Sequence, residues 1–262
     1  MSFQGQVVWI TGASAGIGEA LALAFARQGA RLVLSARNEA ALRRVQAACA
    51  PAEALVLPLD LAAPDTFAAA VTAVRARFGR IDLLVNNGGI SQRSLALETS
   101  LAVDRQLMEV DYFGPVALSK AVLPGMVAQG TGRIVVISSL VGKFGTPYRS
   151  AYAAAKHALH GFFDSLRAEI HGSGVGVTIL CPGFIHTGVS VNALTGDGST
   201  LGEMDAATAQ GMAPADFAHR ALQAIAQGRD EVAIGGRETW GVVLKRLAPG
   251  LFARVLHRAR VR

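Results

Sequence analysis

Residues 7–18 read Val7-Val-Trp-Ile-Thr-Gly-Ala-Ser-Ala-Gly-Ile-Gly18, and this stretch decides the fold. Its apolar run predicts a strand, and a helical pattern from Ala20 to Gln28 follows the glycines. A glycine loop between a strand and a helix is the setting in which such glycines bind a phosphate. Gly12 would allow the tight turn, Gly16 would let backbone approach a pyrophosphate, and Gly18 would let the helix pack closely. An ordinary glycine-rich turn is the alternative for this motif alone.

Further short apolar runs alternate with helical patterns along the chain. This alternation predicts an α/β fold, a doubly wound parallel sheet of the Rossmann type with helices on both faces. One long helix is predicted from about Val103 to Val127. We expect one domain over residues 1–262, with a mobile flap at about 188–213 that contains one short helix. The later predicted strands are Arg31–Ser35, Ala54–Leu57, Ile81–Val85, Gly132–Ser138, Val175–Cys181 and Glu231–Ile234.

The end of the second predicted strand indicates which dinucleotide is bound. A site for NAD usually has an acid there, which binds a ribose hydroxyl, but this chain has Ala36 followed by Arg37. A cation suits the 2′-phosphate of NADP(H), so we predict that cofactor; a plain surface arginine is the alternative. Asp60 follows the third strand and is placed to accept from the adenine amino group. Asn87 follows the fourth strand and is expected to tie down neighbouring backbone.

Ser139, Tyr152 and Lys156 form the candidate catalytic set. Ser139 follows an apolar run, and Tyr152 and Lys156 lie four residues apart in an alanine-rich helical pattern, one above the other. A phenol keeps its proton to about pH 10, and a neighbouring ammonium favours the phenolate. With the serine hydroxyl beside them, these groups suit proton transfer to a carbonyl while a hydride arrives from elsewhere. For Tyr-x-x-x-Lys alone, two surface residues on a helix are the alternative.

Composition excludes several classes of protein. The 262 residues are 51% hydrophobic and 17% charged, which supports a sizeable core and argues against disorder. Cys49 and Cys181 do not make a disulfide framework, and no cluster of His, Cys and acidic residues has the spacing of metal ligands. The net charge of +6 comes entirely from the segment after Leu244. The rest of the chain is balanced, so we expect no nucleic-acid partner.

The C-terminal segment, at about 245–262, combines basic residues with an apolar stripe. A basic amphipathic helix can lie on an anionic membrane surface; packing on the protein's own core or on a second subunit is the alternative. The N-terminus shows no secretory signal, and no apolar run is long enough to span a membrane. We therefore expect a cytoplasmic protein whose only membrane contact is peripheral. The stripe is Leu251, Phe252, Val255, Leu256 and Ala259, and the basic row is Arg254, Arg258 and Arg262.

Together these motifs resemble the short-chain dehydrogenase/reductase family in its compact single-domain form. Their order and spacing match over most of the chain. Segments 108–117 and 192–205 are similar to the branch that contains steroid, retinoid and lipid carbonyl reductases. The matching residues are Thr11-Gly-x-x-x-Gly-x-Gly18, Asp60, Asn86-Asn-Gly-Gly89, Ser139, Tyr152-x-x-x-Lys156 and Pro182-Gly183 with Thr187.

The resemblance implies a role for each of these positions. Tyr152 would be the acid in reduction and the base in oxidation, Lys156 would bind the nicotinamide ribose, and Ser139 would orient the carbonyl. A homodimer or homotetramer is also implied. The implied cofactor contacts are Gly12, Ser14, Gly16, Ile17, Gly18, Arg37, Asp60, Asn87, Gly89, Tyr152, Lys156, Pro182, Gly183, Ile185 and Thr187.

Two positions depart from the family pattern. Gly88 replaces an alanine, and we expect a mild effect. Asp111 stands where the family has its fourth catalytic residue, an asparagine that holds a water for proton relay to the lysine. An ionised carboxylate accepts hydrogen bonds but cannot donate them. Asp111 would therefore hold the water, pair with Lys156 or be protonated.

We predict an oxidoreductase that transfers a hydride between NADP(H) and a carbonyl or secondary alcohol of an apolar small molecule. An alcohol dehydrogenase that prefers NAD is the alternative among enzymes. A non-catalytic dinucleotide-sensing protein is the alternative outside enzymes, and the intact set of Ser139, Tyr152 and Lys156 argues against it.

Overall fold

The computed structural model describes residues 3–256, and within them seven parallel strands form one sheet. The sheet order is β3-β2-β1-β4-β5-β6-β7, so the chain reverses direction across the sheet between β1 and β4. Ligands of such sheets bind beyond the carboxyl ends of the strands at this reversal. The predicted doubly wound sheet is confirmed. The strands are β1 Val7–Thr11, β2 Arg31–Ser35, β3 Ala54–Val56, β4 Leu83–Asn86, β5 Gly132–Ile137, β6 Val175–Pro182 and β7 Glu231–Ile234.

Helices cover both faces of the sheet and bury two apolar clusters against it. Phe25 and Phe217 are fully buried on one face, and Phe67 and Phe163 on the other. The helices of the described part are α1 Gly16–Arg27, α2 Glu39–Ala48, α3 Phe67–Phe78, α4 Leu101–Met108, α5 Gly114–Gln129, α6 Ser150–Glu169, α7 Ala206–Ala209, α8 Pro214–Ala226, α9 Trp240–Leu247 and α10 Pro249–Leu256.

The long helix predicted from Val103 to Val127 is wrong in its middle. A π-helical turn, Glu109–Phe113, separates α4 from α5, and Gly114 donates to the carbonyl of Glu109. The cause is Pro115, which has no N–H to donate to the carbonyl four residues before it. Such wide turns occur often at functional sites, and this one carries Asp111.

The flap and the C-terminal segment contain short helices. Within residues 188–213, α7 is the predicted short helix; the mobility of the flap stays a prediction, as does the one-domain organisation. Residues 257–262 lie outside the described residues, and with them Arg258, Ala259, Arg260 and Arg262. No helix in the described part of the chain is both long enough and apolar enough to cross a membrane.

Candidate active site

A cavity of about 1320 Å³ lies beyond the carboxyl ends of the central strands. It brings together the four candidate catalytic residues, Ser139, Tyr152, Lys156 and Asp111. The lining also includes every predicted cofactor residue except Gly18. Those lining residues are Gly12, Ser14, Gly16, Ile17, Arg37, Asp60, Asn87, Gly89, Tyr152, Lys156, Pro182, Gly183, Ile185 and Thr187. Their roles in binding and catalysis stay predictions.

One end of this cavity, which we call the glycine end, is formed by Thr11–Ile17 and Asn86–Gly89. Gly12 has a φ of 63°, and a Cβ added there would lie 2.7 Å from Gly88 Cα. Gly18 lies behind the loop, where a Cβ would overlap the carbonyl oxygen of Gly12. Glycine is therefore needed at Gly12 for the turn and at Gly18 for the close approach of α1 to the loop.

Asn87 and Thr11 hold the two loops of the glycine end together. The Asn87 side chain donates to the carbonyl oxygens of Thr11 at 2.9 Å and Gly12 at 3.2 Å. The Thr11 hydroxyl accepts from the N–H groups of Asn87 and Gly88, both at 3.0 Å. The expected tie by Asn87 is present, and it fixes the turn above the start of α1.

The geometry of the glycine end fits a dinucleotide. Among the described residues no side chain caps α1, so its first N–H groups are open to an anion. Arg37 is exposed at the rim of the cavity, and Asp60 lies in the lining beyond it. Sequence analysis missed Arg44, which donates to Ser14 O at 3.1 Å and pairs with Glu19. Its partners are 25 and 30 residues away, so no local pattern reveals the contact.

Lys156 connects the candidate catalytic residues. It is 4% exposed, and its Nζ lies 5.5 Å from the centre of the Tyr152 ring. Nζ also donates to the carbonyl of Ile137 at 3.3 Å. The Ser139 hydroxyl accepts from Val141 N–H at 3.3 Å, which leaves its own hydrogen free to donate. Ser139, Tyr152 and Lys156 thus line the same cavity.

Asp111 forms a buried ion pair with Lys156. The carboxyl is fully buried; Oδ1 accepts from Ile90 N–H at 2.7 Å, and Oδ2 lies 3.3 Å from Lys156 Nζ. Burial raises the pKa of the Asp111 carboxyl, and the charge on Lys156 opposes that rise. Burial alone would lower the pKa of Lys156, but Asp111 and Tyr152 raise it above its ordinary value.

A network behind Ser139 was missed by sequence analysis. Ser138 Oγ lies 3.0 Å from His160 Nε2, and His160 Nδ1 lies 3.2 Å from Glu231 Oε2. Lys143 donates to the same carboxylate at 2.7 Å. The hydrogen bond from His160 and the contact with Lys143 lower the pKa of Glu231 to about 2. The network joins the ends of β5 and β7 to α6, which holds the serine segment in place.

A buried ion cluster anchors the flap. Arg93 Nε donates to Asp205 Oδ2 at 2.8 Å, and Arg149 Nη2 contacts the same oxygen at 3.2 Å. Burial raises the pKa of Asp205, but its two arginine contacts outweigh burial and lower it. Because Arg149 lies immediately before α6 and three residues before Tyr152, the cluster connects the flap to the start of α6.

Another part of the cavity lining, which we call the C-terminal wall, is formed by α9 and α10. Phe252 is 6% exposed and packs on Phe144, with ring centres 4.9 Å apart. Trp240 and Leu247 also line the cavity but are 71% and 78% exposed. Glu238, just before α9, accepts from Phe184 N–H at 3.1 Å and so ties the wall to the loop after β6.

Comparison with known proteins adds to this geometry. The sequence profile described as "short chain dehydrogenase" matches residues 6–198. The chain is similar to "Dehydrogenase/reductase SDR family member 7B" of Bos taurus, with 45% identity over 264 residues. That alignment covers 97% of this chain and 81% of the relative.

Solved structures share the fold over nearly the whole chain. A short-chain dehydrogenase/reductase from Burkholderia phymatum in complex with NAD superposes with a TM-score of 0.85 and 25% identity, covering 100% of this chain and 98% of that one. A metagenomic short-chain oxidoreductase in complex with NADP has a TM-score of 0.74 and 33% identity, covering 89% and 98%. These neighbours bind different dinucleotides, so they do not decide between NAD and NADP. The chain belongs to the short-chain dehydrogenase/reductase family of oxidoreductases.

Proposed function

We propose that this protein transfers a hydride between NADP(H) and a carbonyl or secondary alcohol of an apolar small molecule. The main support is that Ser139, Tyr152 and Lys156 line a cavity that the glycine end also lines. One cavity thus offers a dinucleotide cradle, a proton donor and space for a substrate.

The glycine end would hold the dinucleotide. The loop at Gly12–Ile17 would face the pyrophosphate, Asp60 the adenine, and Lys156 the nicotinamide ribose. The loop after β6, with Pro182, Gly183, Ile185 and Thr187, would lie along the nicotinamide. The bound dinucleotide would supply or accept the hydride.

The protein's own residues would move the proton. In reduction the Tyr152 hydroxyl gives its proton to the substrate oxygen, and the Ser139 hydroxyl donates a hydrogen bond to the same oxygen and so orients it. In oxidation the Tyr152 phenolate takes the proton from the alcohol. Lys156 stabilises the phenolate by its charge.

NADP(H) is proposed over NAD because Arg37 is exposed at the rim of the cavity and the second strand ends without an acid. Turnover of a panel of ketones and secondary alcohols with NADPH, NADH and their oxidised forms tests the proposal. We expect turnover that is faster with NADP(H). Faster turnover with NAD(H) would favour the NAD-preferring alternative, and dinucleotide binding without turnover of any compound would favour the sensing alternative.

An apolar substrate is proposed because of the C-terminal wall. The wall contributes four apolar side chains to the cavity that Tyr152 also lines: Val243, Leu244, Leu247 and Phe252. Burying apolar substrate surface there contributes about 25 cal/mol per Å². The resemblance to the branch with steroid, retinoid and lipid carbonyl reductases agrees with this wall.

A homodimer or homotetramer is proposed through the helices α4 and α5. Leu101 on α4, Phe113 on the π turn between the helices and Val127 on α5 are exposed, and burying these apolar side chains between subunits would stabilise an assembly. Light scattering of wild type and Phe113→Asp would test it: a smaller assembly of the variant is expected. An unchanged mass would place the interface elsewhere, and a monomeric wild type would exclude it.

Peripheral membrane contact is proposed for the outer face of the C-terminal wall. The apolar stripe predicted for this segment divides in the structure. Phe252 and Leu256 pack on the core, which supports the packing alternative for that half. Leu251 is exposed beside Arg254 and does not line the cavity, which supports membrane contact for the other half, whereas Val255 is half-exposed and also lines the cavity.

A further inference from the structure

Asp111 carries a feature that the proposed function does not use: its carboxyl group is in direct contact with the lysine of the active site. Asp111 lies on the π turn at Glu109–Phe113, and its carboxyl is fully buried in the protein. Burying a carboxylate is costly unless it is paired, and here the ion pair is with Lys156, at 3.3 Å.

The two oxygens of Asp111 have different surroundings. Oδ1 accepts from the N–H of Ile90 at 2.7 Å, which fixes the carboxyl against the loop after β4. Oδ2 makes no hydrogen bond within the described part of the chain, and Lys156 Nζ is the cation beside it. The carboxyl is therefore held in place by backbone and directed at the ammonium by charge.

Few other charges act at this point. From α6, Lys156 faces Asp111, and Tyr152 lies beside Lys156. Arg149, at the start of α6, also acts on Tyr152, but Arg149 is paired with Asp205 at 3.2 Å. The end of β5 contributes the uncharged Ser138 and Ser139, and Arg93 on the loop after β4 is charged but is paired with Asp205. On the π turn itself, Glu109 is exposed to solvent.

We infer that Asp111 is a positioning residue that keeps Lys156 an ammonium and offsets part of its charge, so that Tyr152 keeps its proton to higher pH than beside a neutral residue at position 111. This inference rests on the proposed function. It would shift the pH dependence of both directions: the protonated tyrosine needed for carbonyl reduction would persist to higher pH than with a neutral residue at position 111, and alcohol oxidation would need a correspondingly higher pH.

Asp111→Asn tests the inference, because the amide is nearly isosteric and its oxygen can still accept from Ile90 N–H. Removing a negative charge near a phenol favours the phenolate. The pH at which oxidation reaches half its maximal kcat/KM should therefore fall, by about one unit for one charge at a few ångströms in a protein interior. The alkaline decline of reduction should shift the same way. Glu109→Gln is the matched control: it removes one charge from the same turn at an exposed position and should leave both profiles unchanged.

A titration without cofactor or substrate keeps the test independent of turnover. The chain has three tyrosines, so the tyrosinate absorbance of wild type minus that of Tyr152→Phe reports Tyr152 alone. Repeated in the Asp111→Asn background, this difference should rise at lower pH. Asp111→Ser, which is also neutral, replaces Asp111→Asn if that variant does not fold.

The possible outcomes separate the two hypotheses. A shift to lower pH in the titration supports the inference about Asp111 even if no substrate is turned over, and the absence of turnover then counts against the proposed function alone. An unchanged midpoint, or one that moves to higher pH, in variants that fold overturns the inference whether or not the enzyme is active.

Discussion

The glycine end and the C-terminal wall line one cavity but are held by different forces. At the glycine end, Asn87 and Thr11 fix backbone atoms through directional hydrogen bonds of 2.9 to 3.2 Å. The C-terminal wall is held mainly by apolar packing, with Phe252 on Phe144, and such contacts have no preferred direction. The comparison teaches that backbone geometry is specified narrowly at the glycine end, whereas at the C-terminal wall burial holds the elements together without fixing one direction of contact.

The largest effect on activity is expected at Tyr152, which lines the cavity that both regions share. Tyr152→Phe removes the hydroxyl and keeps the ring, so kcat should fall by about 10²-fold or more while dinucleotide binding persists. Steady-state kinetics and dinucleotide binding by fluorescence measure the two effects. Tyr112→Phe is the matched control: its ring packs on Phe162 outside the cavity lining, and kcat should stay within about twofold. Retention of more than about a hundredth of kcat in Tyr152→Phe would contradict the assignment of Tyr152 as the acid–base group.

Gly18→Ala should disturb the backbone geometry of the glycine end. The added Cβ overlaps the carbonyl of Gly12, and overpacking of this kind costs about 1–3 kcal/mol. We expect a lower Tm and weaker dinucleotide binding. Gly161→Ala on α6 is the matched control, because nothing lies within 4 Å of a Cβ there and alanine stabilises a helix relative to glycine by about 1 kcal/mol. Equal Tm values for the two variants would show that the loop is not tightly packed.

Arg37→Ala should weaken the preference of the same end for NADPH over NADH. Loss of a charge-assisted contact with the 2′-phosphate would lower kcat/KM for NADPH by roughly tenfold, and the value for NADH should not change. The ratio of the two kcat/KM values is the measurement. An unchanged ratio would assign the exposed Arg37 to the protein surface and leave the dinucleotide preference to other residues.

The sequence predicted the sheet and the glycine end well, because their determinants are local. Gly12, Gly16 and Gly18 lie close together in the sequence, in the loop and at the start of α1, so the motif is visible without knowledge of the fold. Each predicted strand is likewise a short apolar run. The helix from Val103 to Val127 was wrong in the middle because Pro115 decides the hydrogen bonding there, while the apolar pattern continues through it. The interruption matters for function, since it carries Asp111.

Long-range contacts were beyond the reach of the sequence. His160 and Glu231 are 71 positions apart in the chain, and Arg93 and Asp205 are 112 apart. In the sequence, nothing marks these residues as partners, because only the fold brings them together. The apolar stripe of the C-terminal segment was visible, but Phe252 facing inward and Leu251 facing outward depends on where Phe144 lies. Periodicity shows that a helix has an apolar face and does not show what covers it.

The smallest expected effect tests what the outer face of the C-terminal wall contacts. The chain has two tryptophans, of which Trp9 is fully buried and Trp240 is 71% exposed at the start of α9. Titration with anionic vesicles should therefore shift the Trp240 emission to the blue, and Trp240→Phe should abolish the shift. Lys245, Arg246 and Arg254 would each contribute about 1 kcal/mol, so moderate salt should weaken binding, and neutral vesicles should not bind.

Matched variants test whether vesicle binding depends on the C-terminal wall or on any exposed apolar side chain. Leu251→Ser removes an exposed apolar side chain that does not line the cavity and should weaken co-sedimentation with anionic vesicles. The inward-facing Phe252 stays, so the fold should persist, with Tm as the check. Leu97→Ser is the control, because Leu97 is fully exposed on the loop before α4 and should not affect binding. If wild type does not bind anionic vesicles at low salt, the exposed half of the stripe is left to a second subunit, and the C-terminal wall serves only to close the cavity.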